Sequence, residues 1–401
     1  MGSRQRVKPL SRPFPSTRRR ESNCFPCFLL QSLNIKRTTF TFFYFVQTQF
    51  TFDNLQLESG ARLSPVIIAY ETFGTLNAQR SNAILICHAL TGDAHVADEN
   101  DVDGWWSDYV GAGKAFDTER YFIICSNVLG GCAGTSGPGT LNSTTAKPYA
   151  MTFPVVTVGD MVEAQRRLID HLGIAVLHCV AGGSMGGMQA LEWSTRCVGR
   201  ARKTICIATS PNHSPQQIAW NEIGRQAIVA DPDWNGGEWY GEVAPASGLS
   251  VARMIGHITY LSEQSLEEKF ARRLQDKTSF SYNFEAEFQI ESYLRHQGEK
   301  FVARFDANSY LYITRAIDYF DFASRFGSLQ AAFEYSKCAW LFVSFSSDWL
   351  YPPHRMAEMA GAARDANRET TYEEIVEPHG HDSFLLPSVS QEKAIRQFLR
   401  S

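Results

Sequence analysis

From residue 83 onward, short apolar runs alternate with stretches whose apolar residues recur at helical spacing. The runs are AILICHAL (83–90), YFIICSN (121–127), VLHCVAGGS (176–184), KTICIATS (203–210), AWLFVSFSSD (339–348) and TYEEIV (371–376). Several are apolar without alternation, the pattern of parallel strands covered on both faces. Between them, VGDMVEAQRRLIDHLGI (158–174) puts Met161, Ala164, Leu168 and Leu172 at helical steps and stops at Gly173. Alternating β and α elements predict a mostly parallel sheet flanked by helices.

The pattern breaks between 211 and 324. There SPQQIAWNEIGRQAIV (214–229) opens with a cap at Ser214, a first-turn Pro215 and a capping-box Gln217. VARMIGHITYL (251–261) repeats helical spacing through Val251, Met254, Ile258 and Leu261, and DPDWNGGEWYG (231–241) is turn-rich. No strand-like run interrupts this stretch, so it reads as a helical lid inserted into an α/β core made of 46–210 and 325–401. Upstream, TFTFFYFVQTQFTF (39–52) alternates and reads as β, with structured chain expected from near Phe45.

Composition adds boundaries. A chain of 401 residues, 44% hydrophobic and 20% charged, can bury a large core. No apolar run approaches the roughly 18 residues of a membrane span. Residues 1–45 hold nine Lys/Arg against the single acid Glu21, so the remainder carries about −12 and argues against a nucleic-acid partner. That basic segment reads as an organelle-targeting address, a disordered arm or a start-site artefact. Cys24-x-x-Cys27 within it has redox-motif spacing but no strand–helix context. The nine cysteines are odd in number and scattered; Cys87, Cys125, Cys179, Cys206 and Cys338 lie in or beside apolar runs. They read as core thiols in a reducing, cytoplasm-like compartment.

The chemistry centres on Gly182-Gly183-Ser184-Met185-Gly186, a G-x-S-x-G between a strand and a helix. This is the context of a nucleophile elbow, in which a sharp turn presents the serine. A G-x-G-x-x-G fingerprint cannot be laid on these residues, and no Lys-Ser/Thr follows as in a phosphate-binding loop. A serine hydroxyl needs a base, and the base needs a carboxylate to orient it. Downstream, Asp348 closes an apolar run, and His379 and His381 follow the last strand. Acyl chemistry also needs oxyanion donors. The backbone N–H of Met185 follows the serine directly, and the Leu90 N–H lies in HALTGDAH (88–95), after an early strand.

These segments together resemble the homoserine O-acetyltransferases, α/β-hydrolase-fold acyltransferases of methionine biosynthesis. The resemblance is carried by HALTGDAHV, NVLGGCAGTSGP, GGSMGGMQALEW, HSPQQIAWNEIGRQAI, RFDANSYLYIT, SSDWLYPP and GHDSF, and extends from about residue 46 to the end. It implies Ser184 as acyl-accepting nucleophile, His381 as base and Asp348 as its orienter. It further implies that Arg225 and Asp382 contact the substrate, a guanidinium for the carboxylate of homoserine and a carboxylate for its ammonium. It implies acetyl-CoA as co-substrate and a homodimer; the triad chemistry needs no metal or permanently bound cofactor, and the cysteine pattern points to the cytoplasm, with organelle targeting by residues 1–45 the alternative. Two departures stand out: Pro148-Tyr149-Ala150 where the family pattern has a glycine third, and Gly159 where a larger basic residue is usual.

Three rival readings follow from the same residues. The first transfers succinyl instead of acetyl, or uses serine or a deacetylated antibiotic precursor as acceptor; a succinyl carboxylate would want an additional cation in the acyl pocket. The second is an esterase or thioesterase, in which water takes the acyl group. The third is a binding protein that has lost catalysis, which the filled triad positions disfavour.

Overall fold

A computed structural model describes residues 48–99 and 102–401. The basic segment and the Cys24/Cys27 pair lie outside them. An eight-stranded sheet forms the centre: β1 (Thr48–Phe52), β2 (Val66–Phe73), β3 (Ala83–Cys87), β4 (Phe122–Ser126), β5 (Leu177–Gly183), β6 (Ala201–Ile207), β7 (Ala339–Phe345) and β8 (Thr370–Ile375). Their order across the sheet is β1-β2-β4-β3-β5-β6-β7-β8. The six strands read from the sequence pair in parallel, whereas β1 and β2 run antiparallel at one edge. The unbroken apolar character of β3 has a direct cause. Ala83, Leu85 and Cys87 face one core, Ile84 and Ile86 face the other, and all five are fully buried.

Helices cover both faces. Helix α1 (Val158–His171) starts on a reciprocal Thr157/Asp160 capping box, and Gly173 follows its end at φ +69°. Helix α2 (Met185–Arg196) follows β5 with only Ser184 between. The insertion holds α3 (Pro215–Val229), α4 (Ala246–Tyr260), α5 (Glu263–Lys269), α6 (Gln289–Val302) and α7 (Ala307–Tyr319). Ser214 and Gln217 form the capping box expected of them. Among the described residues of the insertion, the only β features are isolated bridges, Asn212–Asp321 at its base and Leu274–Phe288 within it. Helices α8 (Leu329–Tyr335), α9 (Pro353–Asp365) and α10 (Val389–Arg400) return to the core. Among the described residues no helix is long and apolar enough to cross a membrane.

Both sequence departures have a physical setting. Ala150 stands at φ +48°, a left-handed conformation that glycine adopts without a Cβ penalty. At Gly159, a Cβ would run into the Arg196 guanidinium, which pairs with Glu58 and, at 2.8 Å, with Glu192. Arg196 thus places a cation where the family pattern has its basic side chain. Ala exceeds Gly in helix preference by up to about 1 kcal/mol. Gly159→Ala is expected to realise that gain only in an Arg196→Ala background, because in the native chain it displaces the guanidinium. Urea denaturation of the four-member cycle should give a coupling of about 1 kcal/mol; additive effects would show that the guanidinium is not sterically tied to Gly159.

Candidate active site

The strand register brings the site together. Gly182 on β5 lies level with Cys87 on β3 and Cys206 on β6, and Gly183 with Ile207. Residues just beyond these ends therefore converge on one edge of the sheet, where ligands collect in open α/β folds. Ser184 occupies the apex at φ +56° and ψ −124°, a strained conformation for a residue with a side chain. Its N–H bonds the Ile207 carbonyl at 2.9 Å, which anchors the turn to β6. Two glycines make the turn feasible. A Cβ on Gly186 would strike the Cys87 carbonyl oxygen, and one on Gly183 would meet the Phe384 ring at 2.5 Å.

Ser184 Oγ lies 2.9 Å from His381 Nε2, and His381 Nδ1 lies 2.8 Å from Asp348 Oδ2. The other Asp348 oxygen accepts the Tyr351 N–H at 2.8 Å, so both oxygens are held. With the carboxylate accepting from Nδ1–H, that tautomer of His381 presents Nε2 as an acceptor toward the serine. His381 rather than His379 makes this contact. The loop carrying it is tied down from two sides: Gly380 N–H donates to Ser347 Oγ at 2.9 Å, and Ser262, at the lid's α4–α5 junction, donates to the Pro378 carbonyl. Phe384 and Tyr351 pack on the imidazole, with centroids 5.4 and 4.9 Å away.

Met185 is the first residue of α2, where a helix leaves its N–H groups without intrahelical acceptors. Leu90 lines the same cavity as Ser184. A buried polar network joins the two segments. Gln189 Nε2 donates to the His88 carbonyl at 3.1 Å and reaches the Met185 carbonyl at 3.4 Å. Gln165 Nε2 donates to Gln189 Oε1 at 2.7 Å, and Trp193 Nε1 donates to Gln165 Oε1 at 2.7 Å. Burial pushes the His88 pKa down, keeping the ring neutral. Its Nδ1–H donates to the Ala89 carbonyl at 2.7 Å, while Nε2 accepts from Val128 N–H at 3.1 Å.

Arg225 lies on α3 of the insertion, and Asp382 directly follows the triad's His381. Arg225 is buried in α3, its guanidinium 2.7 Å from Asp318 and 2.8 Å from Glu222. Neither Arg225 nor Asp382 is among the residues lining the cavity over Ser184. Asp382 follows His381 and is half-buried; desolvation raises its pKa despite the nearby His381 and Arg253.

A second buried polar chain was not singled out from the sequence. Tyr351 hydroxyl lies 2.7 Å from His213 Nε2, and His213 Nδ1 lies 3.1 Å from Asp318 Oδ1. Asn221 Nδ2 also donates to Asp318 at 2.7 Å. Burial pushes the Asp318 pKa up, but hydrogen bonds from His213 and Asn221 and the charge of Arg225 outweigh it and hold the carboxyl low. The available signals were slight: Tyr351 follows Asp348 by three residues, and His213 precedes the Ser214 cap.

A family model described as the alpha/beta hydrolase fold matches residues 82–387. The homoserine O-acetyltransferase of Methanohalobium evestigatum is 54% identical over 350 residues, covering 86% of this chain and 71% of that protein. The enzyme of the same name from Rhodospirillum rubrum is 54% identical over 350 residues, 86% of this chain and 90% of its own. Among solved structures, homoserine O-acetyltransferase from Bacillus anthracis matches with a TM-score of 0.83 at 30% identity, covering 88% of this chain and 97% of that one. Esterase E22 matches with a TM-score of 0.81 at 30% identity, covering 88% and 99%.

The elbow's packing gives a direct test. Gly186→Ala sets a methyl against a backbone carbonyl that has no rotamer to escape into. A loss of about 3 kcal/mol is expected in chemical denaturation. Labelling of Ser184 by a fluorophosphonate should fall with it, and native stability with full labelling would contradict this account of the turn.

Proposed function

The chain belongs to the homoserine O-acetyltransferase family of α/β-hydrolase-fold enzymes, and from that premise we propose how its residues carry out the reaction. The activity moves an acetyl group from acetyl-CoA to the side-chain hydroxyl of L-homoserine, a step of methionine biosynthesis. The observation that carries the mechanism is the continuous hydrogen-bonded line Ser184–His381–Asp348 at the lid-covered cavity.

Ser184 Oγ attacks the thioester carbonyl carbon while His381 Nε2 takes its proton, and Asp348 stabilises the imidazolium. The tetrahedral oxyanion receives the N–H groups of Met185 and Leu90. As the C–S bond breaks, His381 returns the proton to the departing CoA sulfur, leaving acetyl-Ser184. Homoserine then enters this ping-pong cycle. His381 removes its hydroxyl proton, the oxygen attacks the acetyl carbonyl, and collapse gives O-acetylhomoserine with Ser184 reprotonated. Nucleophile, base and electrophilic stabiliser are all protein groups, so the chemistry calls for no resident metal or cofactor.

Acetyl is taken over succinyl as the transferred group because the relatives at 54% identity are homoserine O-acetyltransferases. For the acceptor, Arg225 takes the carboxylate and Asp382 the ammonium. Glu222 is the more exposed partner of Arg225, at 44% against 4% for Asp318, and is the one an incoming carboxylate would displace. Bringing an ammonium beside Asp382 also offsets the desolvation of its carboxyl. We further take the enzyme as a cytoplasmic homodimer. Buried thiols at Cys87, Cys125, Cys179, Cys206 and Cys338 support a reducing compartment, and the exposed Ile223 and Val229 of α3 and Val251 of α4 support a partner surface on the lid.

Two outcomes are expected. CoA release from acetyl-CoA should accelerate strongly when homoserine is added, with succinyl-CoA a poor donor, and Ser184→Ala should lower turnover by about 10⁴-fold or more. Equal CoA release with and without homoserine would make the protein a thioesterase. Separately, Arg225→Ala should raise the KM for homoserine by about tenfold or more, whereas Glu222→Ala should leave it unchanged or lower it. A higher KM in Glu222→Ala would mean that Glu222 holds Arg225 in place rather than giving way.

A further inference from the structure

The line from Asp348 through His381 reaches Ser184 from the core side. A second line reaches it from the lid side: Asp318, His213 and Tyr351, with separations of 3.1 and 2.7 Å. The Tyr351 phenol lies beside the Ser184 hydroxyl, and Tyr351 and His213 both line the cavity over the serine. The His213 and Asp318 side chains are each 4% exposed. The mechanism above uses none of these three groups.

Their hydrogen-bond directions follow from chemistry. The Asp318 carboxylate only accepts, so His213 Nδ1 donates to it, and in that Nδ1–H tautomer the other ring nitrogen, Nε2, accepts. The Tyr351 hydroxyl must then donate to His213. Burial pushes the Tyr351 phenol pKa well above its ordinary value, so the hydroxyl keeps its proton. Its one hydrogen is thereby committed to the lid, and its oxygen turns only lone pairs toward the cavity. The Ser184 hydrogen is likewise committed, to His381. A hydrogen-bond acceptor with no hydrogen to offer therefore stands next to the nucleophile.

We propose that Tyr351 is a catalytic residue of the second half-reaction: its phenol oxygen accepts one of the three N–H donors of the acceptor's ammonium, another going to Asp382, and so sets the acceptor hydroxyl on the carbonyl of acetyl-Ser184. The inference rests on the acyltransferase reading above. An amino alcohol carries ammonium and hydroxyl three carbons apart and engages Tyr351 and His381 together; water has no second group to hold. Bond changes are those of the transfer step. The acceptor O–H proton goes to His381, the new C–O bond forms, the Ser184–acyl bond breaks, and the proton returns to Ser184. Tyr351 keeps its own proton throughout. His213 and Asp318 act through Tyr351 as positioning residues, and Arg225, 2.7 Å from Asp318, joins the carboxylate end of the acceptor to the same frame.

The test measures how acetyl-enzyme partitions between homoserine and water. Acetyl-CoA is supplied, O-acetylhomoserine and acetate are quantified together, and the initial burst of CoA counts competent sites, so that partial misfolding does not enter the ratio. Tyr351→Phe should lower the transfer-to-hydrolysis ratio at least tenfold. His213→Phe should do the same without adding to Tyr351→Phe, while His213→Gln, whose amide can both accept from Tyr351 and donate to Asp318, should restore most of the ratio. With 3-amino-1-propanol and 1-propanol as acceptors, the native enzyme should prefer the amine, and Tyr351→Phe should narrow that preference. An unchanged ratio in Tyr351→Phe, or equal loss of transfer and hydrolysis, overturns the proposal. If the native enzyme itself forms no O-acetylhomoserine, it is the acyltransferase reading that fails.

Discussion

The site depends on backbone packed directly against backbone where β3, β5 and α2 meet. The absence of a side chain at Gly186 lets the first turn of α2 sit on the Cys87 carbonyl, and that approach fixes how far Met185 lies from the loop that carries Leu90. The turn holds Ser184 in a conformation costing on the order of 1–3 kcal/mol. Its N–H bond to Ile207 and the Gln189 amide, which grips both His88 and Met185 carbonyls, offset that strain. Hydrogen bonds of this kind contribute roughly 0.5–1.5 kcal/mol each, but an unmet buried amide costs more than a met one returns. The Gln165–Gln189–Trp193 network therefore tolerates little change: loosening one member leaves several buried groups without partners and frees the elbow's strain to relax.

Two polar lines then approach the serine from different parts of the molecule. Asp348 and His381 follow β7 and β8, so the general base stands on the rigid sheet edge. His213 and Asp318 lie near the two ends of the inserted helices, close to the Asn212–Asp321 bridge that closes the insertion's base. Groups set at the base of an insertion keep their geometry better than groups at its tip, because the core frame holds them. Tyr351 belongs to the core by chain position and to the lid line by hydrogen bonding. It is the residue through which the two halves of the cavity are registered against each other.

Much of this was legible in the residue pattern because the relevant constraints are local. The inner parallel strands announce themselves through double-sided burial, whereas β8 is a largely exposed edge strand; α3 does so through its Ser214/Pro215/Gln217 start, and the elbow through glycines that only a tight turn requires. Asp348 could be named, and the base narrowed to His379 or His381, because a triad's order along an α/β chain is restricted; the choice of His381 came from the family resemblance. Strand β2 was harder, since it is followed by no helix, and its Glu71 pairs with His95 at 2.8 Å, a contact set by tertiary structure alone. His213, Asp318 and Tyr351 escaped for the same reason: 105 residues separate the first two, and nothing local distinguishes a histidine that accepts from tyrosine from one that packs on a helix. Gly159 illustrates the converse, because the missing basic side chain is replaced by Arg196 on another helix, where a linear reading does not look.

Fold and triad do not by themselves separate transfer from hydrolysis, since a solved esterase matches the chain almost as well as a solved acetyltransferase. The acetyl-serine they share is an ester that water can always attack. For transfer to prevail, the acceptor's hydroxyl must be held so that its effective molarity at the carbonyl far exceeds that of liquid water, and well-oriented groups reach about 10⁵–10⁸ M. Holding a molecule as small as homoserine that firmly needs more than one fixed partner, and needs those partners fixed relative to the serine. The triad supplies one point, the hydroxyl's contact with His381. The remaining points must come from groups whose positions are locked to the same frame, and Arg225, Asp318, His213 and Tyr351 form a chain of polar contacts that ends beside the nucleophile. A lid that merely covered the site would slow water and acceptor alike; a lid wired to the serine can favour one over the other.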